Sequence, residues 1–164
     1  MQPRVAILTV SDRSSSGQRA DLSGPALQKL VQDYGWQLVE SDIVPDEQEQ
    51  IQTRLVSWAD TGKVDLILTT GGTGFTRRDV TPEATLAVCQ RMAPGLAEVM
   101  RASSLQVTPH GMLSRAVAGI RATTLIVNLP GSPKAAGENL AAIAAVIPHA
   151  VQMLQDDPDT ESSH

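Results

Sequence analysis

Apolar and polar positions along this chain follow two rhythms that alternate. Runs such as Val5-Ala6-Ile7-Leu8-Thr9-Val10 and Val64-Asp65-Leu66-Ile67-Leu68 are almost continuously apolar, as in strands covered on both faces, and the stretches between them are amphipathic at helical spacing. The pattern predicts strands at Arg4–Val10, Gln37–Val44 and Asp65–Thr70, with helices at about Gly24–Tyr34 and Glu47–Ala59 between them. Further on it predicts helices near Pro82–Gln90 and Pro94–Leu105, a strand pair at Ala116–Arg121 and Thr124–Asn128, and a final helix from Pro133 interrupted at Pro148. This alternation specifies an α/β fold of three layers, a mostly parallel sheet with helices on both faces. Only Ala122 and Thr123 separate the last two strands, a connection short enough to favour an antiparallel hairpin, so the sheet is expected to be mixed.

No internal repeat and no long linker divides the sequence. Residues 1–155 are therefore expected to form one domain, followed by a polar, disordered tail at 156–164. A chain of 164 residues can bury roughly two-thirds of its unfolded surface, which suffices without cross-links. The single Cys89 cannot form an internal disulfide, and its place in Ala84-Thr85-Leu86-Ala87-Val88-Cys89 marks it as a small core residue of a helix. Met1 runs almost directly into the first strand, and no apolar stretch approaches the ~20 residues of a membrane span, so a cytoplasmic protein without a membrane partner is expected. A net charge of −5 and 2% aromatics argue against a nucleic-acid partner, which would call for basic stripes and stacking rings.

Chemistry concentrates in the loops that leave the strands. The richest is Thr69-Thr70-Gly71-Gly72-Thr73-Gly74-Phe75-Thr76-Arg77-Arg78-Asp79-Val80-Thr81-Pro82-Glu83-Ala84. Three glycines in four positions let backbone N–H groups turn toward an anionic oxygen, and Thr73 adds a hydroxyl. Arg77 and Arg78 can neutralise phosphate, whereas Asp79 has the wrong sign for direct phosphate contact and suits Mg²⁺. Thr81-Pro82-Glu83 has the form of a helix start. The plainer alternative is a glycine-rich turn beside a solvated Arg-Arg-Asp triplet.

In a parallel sheet the carboxyl ends of strands lie on one edge, so three further loops should face the same ligand. Ser11-Asp12-Arg13-Ser14-Ser15-Ser16-Gly17 follows the first strand and is either a ligand loop or an ordinary polar connection. In Val44-Pro45-Asp46-Glu47, Asp46 can cap the next helix or share a Mg²⁺ ion with Asp79, as paired acids do in nucleotidyl transfer. Asn128-Leu129-Pro130-Gly131-Ser132-Pro133-Lys134 offers a helix start with a Ser132 cap, and also exposed backbone and the Asn128 amide for reading a flat polar ligand. Ser114-Arg115 is a weaker candidate, and the three histidines lack metal-ligand spacing. Neither a P-loop nor a dinucleotide-binding glycine pattern is present.

Taken in order, Ile7-Leu8-Thr9-Val10-Ser11-Asp12-Arg13, Val44-Pro45-Asp46-Glu47, the Thr69–Ala84 run, Leu113-Ser114-Arg115 and Asn128–Lys134 resemble the MogA/MoaB family of molybdenum cofactor biosynthesis. The resemblance covers about residues 4–154 and extends to the related domain of gephyrin. It implies a molybdopterin-binding fold, usually trimeric and sometimes hexameric. It also implies an adenylyltransferase that joins AMP from the co-substrate ATP to the terminal phosphate of molybdopterin, with Mg²⁺ as cofactor and a separate MoeA-like insertase as partner. Carried over by motif, Asp46 and Asp79 are the catalytic and metal-binding pair; some MoaB proteins lack it and are inactive. Ser11, Asp12, Arg13, Gly71, Gly72, Thr73, Gly74, Arg78, Ser114, Asn128, Pro130, Gly131 and Ser132 would contact substrate or nucleotide. Three other readings compete: a carrier that binds molybdopterin without turnover, a CinA-like nucleotide hydrolase domain, and a purely structural trimer-forming protein.

Overall fold

A computed structural model describes residues 1–156; the expected tail lies outside these residues except for Asp156, which is exposed. The elements are β1 (Arg4–Val10), α1 (Asp12–Ser15), α2 (Ser23–Asp33), β2 (Gln37–Val44), α3 (Gln48–Ala59), β3 (Leu66–Thr70), α4 (Thr81–Val88), β4 (Arg91–Met92), α5 (Pro94–Leu105), β5 (Ala118–Arg121), β6 (Thr124–Leu129), α6 (Pro133–Ile143) and α7 (Ile147–Gln155). One six-stranded sheet runs in the order β2-β1-β3-β6-β5-β4. The pairs β2/β1, β1/β3 and β3/β6 are parallel, and β6/β5 and β5/β4 are antiparallel, which is the mixed α/β sheet expected. Among the described residues, no helix is long and apolar enough to cross a membrane.

Strand periodicity sorts the core into two layers. Val5 and Ile7 of β1, Leu66 and Leu68 of β3 and Val127 of β6 pack with Leu27, Met100, Leu140 and Val151, so α2, α5, α6 and α7 cover one face. The intervening Ala6, Leu8, Ile67 and Ile126 pack with Ile51, Leu55 and Trp58 of α3 and Ala84 of α4 on the other. Period-two alternation with both faces covered explains why these strands are so uniformly apolar. Edge strand β2 is mostly exposed, and its extra residue Val39 shifts the register against Val5 and Ala6.

Four local differences from the expected pattern have simple causes. The break in the last helix is a 3₁₀ turn at Ala144–Val146, and Pro148 sits in the first turn of α7, where a missing N–H costs nothing. Helix α4 ends at Val88, leaving Cys89 extended and half-buried beside the α3 layer; burial pushes its thiol up to about 11, so it is unreactive. The two-residue β4 is too short to register as a periodic signal. Likewise, the one-turn α1 arises from a serine cap: Ser14 N–H donates to Ser11 Oγ (3.1 Å).

At the amino-terminal edge of the sheet a buried carboxylate ties the chain together. Asp65, 2% exposed, accepts from Arg4 Nε (2.9 Å), Arg4 NH2 (2.7 Å), the Arg4 backbone N–H (2.8 Å) and Gln155 Nε2 (2.9 Å). The start of β1 and the end of α7 therefore meet at the foot of β3.

Candidate functional site

The loops after β1, β2, β3 and β6 converge on the carboxyl edge, as a parallel arrangement requires. They enclose a cavity of about 470 Å³ that receives Ser11, Asp46, Gly71, Gly72, Asp79, Gly131 and Ser132. A second cavity, about 360 Å³ and more apolar, is lined by Thr73, Gly74, Ser114, Pro130 and Ser132 together with Val107 and Leu113. The glycine loop and the Pro130–Ser132 loop each contribute to both cavities, so they form the wall between them.

Close approach of backbones fixes the glycine loop. Gly71 has φ +102° and Gly72 φ +70°, and a Cβ on Gly71 would strike the Val10 carbonyl oxygen. Gly71 N–H donates to Leu129 O (3.1 Å), while Thr81 donates from its hydroxyl to Gly71 O (2.8 Å) and from its N–H to Gly72 O (3.1 Å). Thr81 thus braces the loop and does not cap its own helix, whose first turn follows Val80. The N–H groups of Gly72, Thr73 and Gly74 make no hydrogen bond among the described residues. Three successive open donors at a strand's end are suited to an anion.

Asp46 does not cap α3. Its Oδ2 accepts the Asp12 N–H (2.9 Å), and its own N–H returns a bond to Asp12 Oδ1 (3.0 Å). Asp79 Oδ2 accepts the Thr76 N–H (3.0 Å) within its turn. Burial holds the Asp46 carboxyl above the usual carboxylate range; the Asp12 N–H opposes it, the negative charges of Asp12 and Asp79 add to it, and Arg78 opposes it least. Two carboxylates on one cavity, with repulsion between them, supply the hard oxygen donors that Mg²⁺ takes alongside phosphate and water. The donor set fits that ion.

Arg78 is engaged by acids: it donates to both Asp12 oxygens (3.0 and 2.9 Å) and to Glu47 Oε1 (2.8 Å). This fork pulls the Asp12 carboxyl below its usual range and, with Glu47, stabilises the charged form of Arg78. Asp12 and Arg78 border the first cavity through Asp46 but are not among the side chains lining it, and Arg13 is exposed and lines neither cavity.

Asn128 requires a correction. Its side chain is completely buried: Nδ2 donates to Thr69 Oγ1 (3.0 Å) and Thr85 Oγ1 (2.9 Å), and Oδ1 accepts the Val117 N–H (3.2 Å). The amide ties β3, α4 and the approach to β5, leaving nothing for a ligand.

Several lining residues carried no recognisable signal alone. Arg19 and Asp21 reach the first cavity, where Asp21 accepts from Thr9 Oγ1 (2.8 Å) and Gly24 N–H (3.0 Å); an aspartate three residues before Gly24 was the available hint of a cap. His110 lines the second cavity from a 3₁₀ turn at Pro109–Leu113, a placement that depends on packing against α5.

Known proteins resemble this chain in sequence and fold. The molybdopterin adenylyltransferase of Helicobacter pylori (strain J99) is 45% identical over 92% of this chain and 86% of that protein. Gephyrin of Dictyostelium discoideum is 44% identical over 94% of this chain and 23% of its own length. The crystal structure of the molybdopterin biosynthesis enzyme MoaB from Thermus thermophilus superposes with a TM-score of 0.89 at 47% identity, covering 96% of this chain and 99% of that one. The model of the family described as "Probable molybdopterin binding domain" matches residues 6–149, and the chain belongs to that family.

Proposed function

We propose that this protein is a molybdopterin adenylyltransferase acting in molybdenum cofactor biosynthesis. The observation that carries the reading is the junction of two cavities at a loop with three open N–H groups, beside the Asp46 and Asp79 carboxylates. One cavity is polar and acid-lined, suited to a nucleotide with its metal; the other is more apolar, suited to the pterin, with Ser114 and Pro130 on its wall.

In the reaction, an oxygen of the terminal phosphate of molybdopterin forms a bond to the α-phosphorus of ATP. The bond from that phosphorus to the bridging oxygen breaks, and pyrophosphate leaves with the electron pair. Two polyanions must meet, so most of the barrier is electrostatic and positional. The N–H groups of Gly72, Thr73 and Gly74 offset the phosphate charge from fixed backbone positions that need no reorganisation. Asp46 and Asp79 would hold Mg²⁺, which neutralises phosphate charge when bound. Asp12, locked to Arg78 and bonded twice to Asp46, keeps Asp46 in place.

The same reading includes a cytoplasmic location, a separate MoeA-like insertase that takes the adenylated product, and a homotrimer or hexamer. Exposed apolar side chains at Phe75 (69%), Val107 (58%) and Met112 (63%) support self-association. Incubation of purified protein with molybdopterin, ATP and Mg²⁺ should yield pyrophosphate and adenylated pterin in equal amounts. Tight pterin binding without either product would instead identify a carrier.

A further inference from the structure

We propose that Arg115 is the positioning residue of the site, setting the main-chain place of the glycine loop and of Asp79. This rests on the adenylyl-transfer reading for its effect on turnover. The loop from Gly72 to Val80 has little to hold it from within: Thr76 N–H bonds to the Asp79 carboxylate, and Asp79 N–H bonds back to Thr76 O (3.1 Å). From outside, Arg78 ties its own side chain to Asp12 and Glu47, and Arg115 restrains the main chain on either side of it. Its Nε donates to Gly74 O (2.7 Å), its NH2 to Asp79 O (2.7 Å) and its NH1 to Glu83 Oε1 (2.5 Å), while its backbone N–H donates to Thr73 O (2.9 Å).

One rigid, planar group thus joins both ends of the six-residue segment Gly74–Asp79 and the first turn of α4. The fork geometry matters, because three acceptors in different directions must be met at once, and lysine has a single nitrogen on a flexible stem. Arg115 follows Ser114, which lines the pterin-side cavity, whereas Asp79 lines the nucleotide-side cavity, so the guanidinium spans the two.

The test uses the full chain with Arg115→Lys and Arg115→Gln. Both variants should fold cooperatively, with a lowered melting temperature; below it they should show faster amide exchange confined to the bonded N–H groups of Thr76, Asp79 and Thr81, and need more Mg²⁺ for half-maximal turnover. Their kcat should fall about tenfold to a hundredfold, the scale of a 1 Å misplacement. Wild-type kcat and exchange in Arg115→Lys would overturn the proposal. So would faster exchange throughout the sheet with a lowered melting temperature and an unchanged kcat per folded molecule, since that marks a residue serving stability alone. If the wild type makes no pyrophosphate, the adenylyl-transfer reading fails. The exchange comparison still decides whether Arg115 orders the loop.

Discussion

Replacing Asn128 with alanine separates two roles that look alike in a sequence. The substitution deletes two bonds from Nδ2 to threonine hydroxyls and leaves the Val117 N–H without its acceptor, in a side chain with no exposed surface. At about 1 kcal/mol for each lost bond, with the orphaned donor toward the upper end of that scale, the expected loss is about 3 kcal/mol. For a chain of this size each kcal/mol moves the midpoint by about 2–4 °C, so thermal unfolding followed by circular dichroism should show a fall of roughly 6–12 °C. Below the lowered midpoint, affinity for molybdopterin and ATP per folded molecule should match wild type in calorimetric titration. An unchanged midpoint with weakened ligand binding would refute the reasoning and restore Asn128 to the binding surface.

Three other substitutions probe the site itself. Asp79→Asn should leave folding and pterin binding intact while lowering pyrophosphate release by orders of magnitude; near-normal release would remove Asp79 from the metal pair. Asp46→Asn should abolish turnover yet raise the melting temperature at pH 7. The sign follows from the raised folded-state pKa: the ionised carboxylate weakens the fold fully above that pKa, and the penalty disappears as pH falls below the unfolded value, so the two midpoints should converge in acid. Gly71→Ala forces a Cβ into the Val10 carbonyl at φ +102°, and a loss of at least about 2 kcal/mol in urea unfolding is expected; a stable, active variant would mean that the loop accommodates the change cheaply.

What the sequence made legible follows from how local each signal is. Alternating apolar runs named β1, β2, β3, β5 and β6, because each strand's burial repeats within a few residues. The four loops were found together because strand polarity alone puts their ends on one edge. Asn128 lies near that edge too, and nothing local reveals that Thr69, Thr85 and Val117 surround its side chain. Arg78 next to Asp79 suggested phosphate, whereas its partners Asp12 and Glu47 come from two other loops. Arg115 gives little signal in the sequence because two of its acceptors are main-chain carbonyls, and a carbonyl's direction is not written in residue type.

The knot at Asp65 bears on how this unit can be combined with others. Arg4 and Gln155, near the two ends of the described elements, are held by the same carboxylate at the foot of β3, while the first cavity lies above its top. Five residues of strand set these regions roughly 17 Å apart, so Arg4 and Gln155 lie on the side of the sheet away from the cavity. In gephyrin of Dictyostelium discoideum the matching region occupies 23% of the length.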